Sequence, residues 1–166
     1  MWHDAFLEQA RSDWRAYEAI QNLSLDECHV LHYLQMATEK LGKAMLLAEE
    51  DDIKKVRTSH KAFIRFLHVS ARHPIVQEHL QMSAQQMRMY IKSLLPLAQE
   101  IEKLAPALAQ DGPNAEYPWM DPSGSIHIPA FFQFSVAQQI KELKGRKLLR
   151  LTRFLLDRFY AVFVPK

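Results

Sequence analysis

A chain of 166 residues with 48% hydrophobic and 24% charged residues has the makeup of an ordinary folding polypeptide. One domain spanning residues 1–166 buries roughly two-thirds of its unfolded surface, and a net charge of +2 excludes a strongly basic global field. The single cysteine, Cys28, excludes a disulfide within one chain, and no run approaches the ~20 apolar residues of a membrane span.

Acidic residues stand in the N-terminal stretch where a signal peptide needs an apolar core, so a cytoplasmic location is expected. Only four Gly and no sustained apolar–polar alternation predict an all-α fold, with no repeat and no low-complexity tract.

The first helix is expected from Asp4 to about Ile20. Phe6, Ala10, Trp14 and Tyr17 line one face, and Glu8, Arg11, Asp13, Arg15 and Glu18 take the others. Gln21 to Leu23 is a short connection, which makes the first two helices antiparallel neighbours. Ser24 to Glu50 reads as the central helix. Ser24 and Glu27 have capping-box spacing, and Leu31, Leu34, Leu41, Ala44, Met45 and Ala48 recur at three- and four-residue steps. Gly42 costs about 1 kcal/mol of helix propensity relative to Ala, and a glycine there suits a close backbone approach.

An acidic-then-basic surface link follows, Glu49-Glu50-Asp51-Asp52 and then Lys54-Lys55-Val56-Arg57. Thr58 or Ser59 is placed to cap a third helix carrying Ala62, Phe63, Phe66 and Leu67. Pro74 disfavours helix at His73 and suits the first turn of the next one. A fourth helical region runs from Ile75 to about Leu108, with Pro96 and Pro106 expected to kink or split it. Residues 111–128 form one long irregular loop rich in turn chemistry, with Tyr117 and Trp119 expected to pin it to the core. Pro129 opens the last helical region, where Phe131, Phe134, Ala137 and Ile140 make a stripe and Gly145 breaks or bends the helix. The sum is an up-and-down bundle of about five helices.

Three stretches carry a resemblance. The first is FLEQARSDWRAY in the opening helix. The second runs from His32 to Leu47, where His32, Gln35, Ala37, Glu39, Lys40, Lys43 and Ala44 match the pattern His-x-x-Gln-x-Ala-x-Glu-Lys-x-x-Lys-Ala. The third is Ser59-His60 with the apolar helix after it. On these residues the chain resembles the HEPN family of small helical domains. Glu116-Tyr117-Pro118 is similar to the family's Arg-Tyr-Pro loop, with Glu116 standing where the family commonly has Arg. The resemblance covers most of the chain up to Ile75 and, more weakly, the rest, and a shared fold hosts more than one function.

Many HEPN proteins are metal-independent endoribonucleases that use an Arg next to a polar residue, then a His a few residues on, doubled across a dimer. The best match here is Arg72-His73-Pro-Ile-Val-Gln-Glu-His79, with Arg72 and His79 as candidate catalytic residues and His73 as a lesser one. An imidazole can take a proton from a 2′-hydroxyl or give one to the leaving oxygen, and a guanidinium can hold the scissile phosphate. Pro74 lies between them and puts Arg72 at a helix boundary. The bland alternative is an Arg and a His at a helix junction, on the surface or capping carbonyls.

Other residues point to binding. Lys141 to Arg153 is the one strong local charge bias, and Lys144, Arg146, Lys147, Arg150 and Arg153 make a ridge able to track a phosphate backbone. The alternative is a solvated face with Leu148, Leu149, Leu151, Leu155 and Leu156 buried behind it, or a dimer face. His29 and His32 share a helical face and are able to touch one metal with His60 or His68, but no Cys pair or H-E-x-x-H supports a metal site. Cys28 and the methionines Met82, Met87 and Met89 read as packing residues.

Beside a plain structural subunit in a larger assembly, two functions remain. One is a HEPN-like module that binds nucleotide, RNA or a protein partner such as a small nucleotidyltransferase, with no cofactor and no robust catalysis. The other is a homodimeric endoribonuclease acting through Arg72 and His79.

Overall fold

The computed structural model describes residues 1–49, 52–59, 61–110 and 112–164. Glu50 and Asp51 of the acidic link, His60 of the resemblance and the candidate metal set, and Asp111 at the loop's start lie outside the described residues. The chain is all-α: the described residues form ten helices, five of them nine residues or longer, plus one two-stranded hairpin. None of these helices is long and apolar enough to cross a membrane.

Helices α1 (Trp2–Ile20) and α2 (Glu27–Glu49) pack along one another and bury Leu7, Ala10, Leu31, Leu34 and Leu41 between them and the rest of the core. Asp13 of α1 and Lys40 of α2 meet at 2.6 Å with little exposure and tie the two helices together. The polar residues of the central-helix pattern all work structurally. Gln35 donates to Glu39 at 2.6 Å, and Lys43 bonds both Glu39, at 2.5 Å, and the Arg57 carbonyl, at 3.0 Å. These charges are largely buried but paired, and removing one partner of such a pair costs about 3–5 kcal/mol.

The Ser24–Glu27 capping box does not form. The Leu25 N–H bonds the Leu23 carbonyl instead, and α2 starts only at Glu27, with His29 N–H reaching Asp26 O. After α2 the basic link is itself a short helix, α3 (Ile53–Arg57), whose N-cap Asp52 accepts from Lys54 and Lys55 N–H. Thr58 closes α3 by donating to the Lys54 and Lys55 carbonyls, so it does not cap the next helix.

Helix α4 (Ala62–Ser70) is capped from a distant part of the chain. The buried Glu102 carboxylate accepts from Phe63 N–H at 2.9 Å and Ile64 N–H at 3.0 Å. Gly42 faces the same turn: a Cβ there would stand 2.5 Å from Ala62 O and 2.8 Å from Phe63 N. The expected close backbone approach is therefore real, and the start of α4 is the junction at which Gly42 and Glu102 converge.

The region after Pro74 divides at Pro106 as expected, but it breaks near Gln81 and not at Pro96. Pro74 opens α5 (Pro74–His79), which ends at Gln81 in the left-handed region with φ 53°. Gln81 N–H bonds Glu78 O and Met82 N–H bonds Gln77 O, a helix stop that usually takes Gly. Gln81→Gly is therefore expected to stabilise the fold by about 0.5–1 kcal/mol, read as a higher urea midpoint at unchanged slope. An unchanged or lower midpoint would remove this account.

Ser83 and Gln86 then form a capping box that starts α6 (Ala84–Lys103). Pro96 sits inside α6 without ending it. It lies on the exposed face of the helix, as does Lys92 one turn before it, whose carbonyl a Pro at this position cannot bond. Pro106 opens the single turn α7 (Pro106–Ala109).

The loop carries a small antiparallel hairpin, β1 (Trp119–Met120) with β2 (Ile126–His127). Asp121 organises its turn by accepting from Ser123 N–H, Ser123 Oγ and Ser125 N–H and by meeting His127 Nε2 at 2.9 Å. These bonds, the Ser123 hydroxyl's first, hold its carboxyl well below the usual carboxylate range. Trp119 is buried against Phe132 and Phe134 as expected, whereas Tyr117 is exposed and pins nothing.

Past a 3-10 turn, α8 (Ser135–Lys141), α9 (Leu143–Asp157) and α10 (Phe159–Phe163) complete the bundle. The break falls at Glu142, and Gly145 permits it: a side chain there would strike the Gln139 and Ile140 carbonyls.

Candidate nucleic-acid interface

The start and end of α5 separate the candidate catalytic residues. Arg72 is exposed in the turn before α5, and His79 is that helix's last residue, so about 9 Å of helix lies between them. They do not share the continuous helical face that a two-turn spacing implies. His73 is the N-cap of α5, its Nδ1 accepting from Ile75 N–H at 3.3 Å. His73 thus works at the helix junction as a cap, but for an N–H and not for a carbonyl. Gln77 locks the same turn by donating to the Ala71 carbonyl at 3.0 Å.

His79 goes elsewhere. Its imidazole stacks on Phe154 of α9, with ring centroids 3.7 Å apart and planes within 5°. His79 is nevertheless exposed and Phe154 half-buried, and the imidazole nitrogens make no hydrogen bond with a described residue. The structure thus brings the candidate His to the basic helix, an approach that no local pattern predicts.

Along α9 the expected division holds. Leu148, Leu151, Leu155 and Leu156 are buried, Leu149 is partly so, and the cations stand outside. The five cations are not equivalent, however. Arg153 is drawn onto α1 by Glu18 and held at 3.3 Å by Asp157. Arg146 donates to the Lys141 carbonyl at 3.1 Å. Lys144, Lys147 and Arg150 are exposed and make no ion pair with a described residue.

Lys147, Arg150 and Phe154 follow at steps of three and four, so they share one face of the helix. Tyr90 of α6 borders that face: its hydroxyl reaches the Lys147 carbonyl at 3.4 Å. Burial pushes the Tyr90 phenol up, and the nearby Arg150 charge opposes this in part. Phe154 and Tyr90 were missed from sequence. Phe154 follows Arg150 by one helical turn, but nothing local says that α5 would deliver a His onto it.

No family model matches this chain, and no curated protein or solved structure does either.

The remaining candidates resolve individually. Among the described residues no group of three or more His, Cys, Asp or Glu could hold a metal ion. His29 is exposed, and His32 lies 3.5 Å from Glu116 and edge-on to Tyr33. The Glu at the loop position where the resemblance would place Arg therefore faces the central-helix His. Cys28 is buried, and that burial pushes its thiol up, away from a reactive thiolate. Met87 is in the core and Met82 packs against it, but Met89 is exposed.

Proposed function

We propose that this chain is a HEPN-like helical module that binds RNA or a nucleotide through the exposed face of α9, without robust catalysis of its own. One observation carries the reading: Lys144, Lys147 and Arg150 project from a single helix, unpaired with any described residue, over a buried leucine layer. Unpaired cations in a row are what a phosphate backbone engages, whereas a purely solvated face usually intersperses both signs. The antiparallel α1–α2 pair, with Gln35, Glu39, Lys40 and Lys43 in its internal network, supports the HEPN-like assignment. Protein partners, whether a second copy or a small nucleotidyltransferase, belong to the same reading. Met120, Ile126 and Phe131, all exposed on or beside the hairpin, offer them apolar surface.

Fluorescence anisotropy with a labelled mixed-sequence RNA tests this. Three phosphate contacts predict that log affinity falls with log salt at a slope of about −2. Replacing Lys144, Lys147 and Arg150 together by Ala is expected to abolish that slope. Affinity and slope unchanged in the triple variant would remove the proposal. The ribonuclease alternative rests on the Arg72 and His79 side chains being exposed, with no hydrogen bond to a described residue. RNA cleavage in EDTA by the wild type that disappears in both Arg72→Ala and His79→Ala would establish it.

A further inference from the structure

The His79–Phe154 stack needs an explanation beyond packing. Two rings 3.7 Å apart and nearly parallel are in full face contact, yet the imidazole lies at the surface. A stack that serves only the core would bury both rings, as Phe63 and Phe66 are buried in α4. Here one imidazole face is used by Phe154, which fixes the ring's plane, while the residue as a whole is open to solvent and its nitrogens bond no described residue. A flat ring held in position at the surface is a stacking platform.

Its place on the molecule decides what would stack there. Phe154 lies one turn beyond Arg150 and two turns beyond Lys147 on the same face of α9. The span from Lys147 to Phe154 is about 10 Å, the length of about three stacked nucleotides of one strand. Cations tracking a backbone, with an aromatic platform at the end of the row, are the two components of sites for single strands. A duplex presents no free base face to such a ring, because its bases are stacked on one another inside.

We propose that His79, held by Phe154, is a base-stacking platform for single-stranded nucleic acid, whose phosphates run over Arg150 and Lys147. This rests on the phosphate-binding reading above and narrows it to one class of ligand. It also gives His79 a binding role in place of an acid–base one. Every base has a π-face, so the site discriminates strandedness and not sequence.

The test compares a single-stranded, unstructured RNA of about ten nucleotides with the same sequence as a duplex, at about 50 mM salt and in EDTA, by anisotropy. The single strand is expected to bind tighter. His79→Ala is expected to weaken it by roughly tenfold, and His79→Phe, which keeps a flat ring and loses the imidazole, to stay within about twofold of wild type. His79 is exposed, so both variants should fold, with circular dichroism as the check. If His79→Phe is as weak as His79→Ala, or the duplex binds as well as the single strand, stacking is overturned while phosphate binding stands. If neither RNA binds the wild type, both readings fall together.

Discussion

Replacing Gly42 by Ala is expected to destabilise the protein by about 3 kcal/mol, at the upper end of what overpacking a core costs. For a chain of this size that is a fall in melting temperature of roughly 10 °C. The added methyl would meet Ala62 O at 2.5 Å and Phe63 N at 2.8 Å, and these are backbone atoms that no rotamer change can move aside. Relief requires α4 to retreat from α2. Retreat would also stretch the bonds from Phe63 and Ile64 to Glu102 and loosen Phe63 and Phe66, which are fully buried. Gly124→Ala is the control. Gly124 has φ +86° with open space around its Cβ position, so Ala there meets only backbone strain of about 1 kcal/mol. Thermal unfolding of both variants decides the matter: equal effects would mean that close approach at Gly42 is not what Ala disrupts.

Glu102→Ala is expected to cost about 2–4 kcal/mol, because it leaves the Phe63 and Ile64 N–H groups buried without acceptors. Glu102→Gln keeps an acceptor oxygen in place and is expected to cost much less. The two also separate by pH. Burial is the largest influence on Glu102 and pushes its pKa up. The two N–H groups oppose that shift, and the nearby Glu39 charge adds to it. A carboxyl with a raised folded-state pKa binds its proton more tightly folded than unfolded. Its contribution is therefore complete below the unfolded carboxyl value of about 4.3 and is lost as pH rises through the folded value. Urea unfolding of wild type across that window should show stability declining with pH, relative to Glu102→Gln, which lacks the titration. Parallel profiles would show that Glu102 folds with an ordinary affinity for its proton.

These two residues show where sequence is informative. Gly42 could be suspected as a close-approach site because a helix that otherwise keeps its period has no local use for a glycine. Glu102 offered no such signal. Its work is to cap α4, 38 and 39 residues earlier in the chain, and capping from that distance leaves no pattern in either stretch. The local candidates, Thr58 and Ser59, were plausible caps, but Thr58 turned out to close α3. After Pro74 the chain divides at Pro106 as expected, but it breaks before Ser83 and not at Pro96, for a legible reason. Ser83-Ala84-Gln85-Gln86 is a capping box in plain view, whereas Pro96, the stronger apparent breaker, is tolerated on an exposed face.

The sequence by itself determined the helical class, the α1–α2 pairing, the leucine layer of α9 and the row of cations outside it. The pairing follows from the shortness of the Gln21–Leu23 connection, and the rest from periodicity within one element, which nearest-neighbour spacing records. Tertiary structure alone decided which cations have no ion-pair partner among the described residues, since Arg153 is taken by Glu18 of α1, and which residue joins them, since α5 sets His79 on Phe154. Both outcomes depend on how helices distant in sequence are laid side by side. That arrangement is set by the summed burial of the whole core, so no single stretch encodes it.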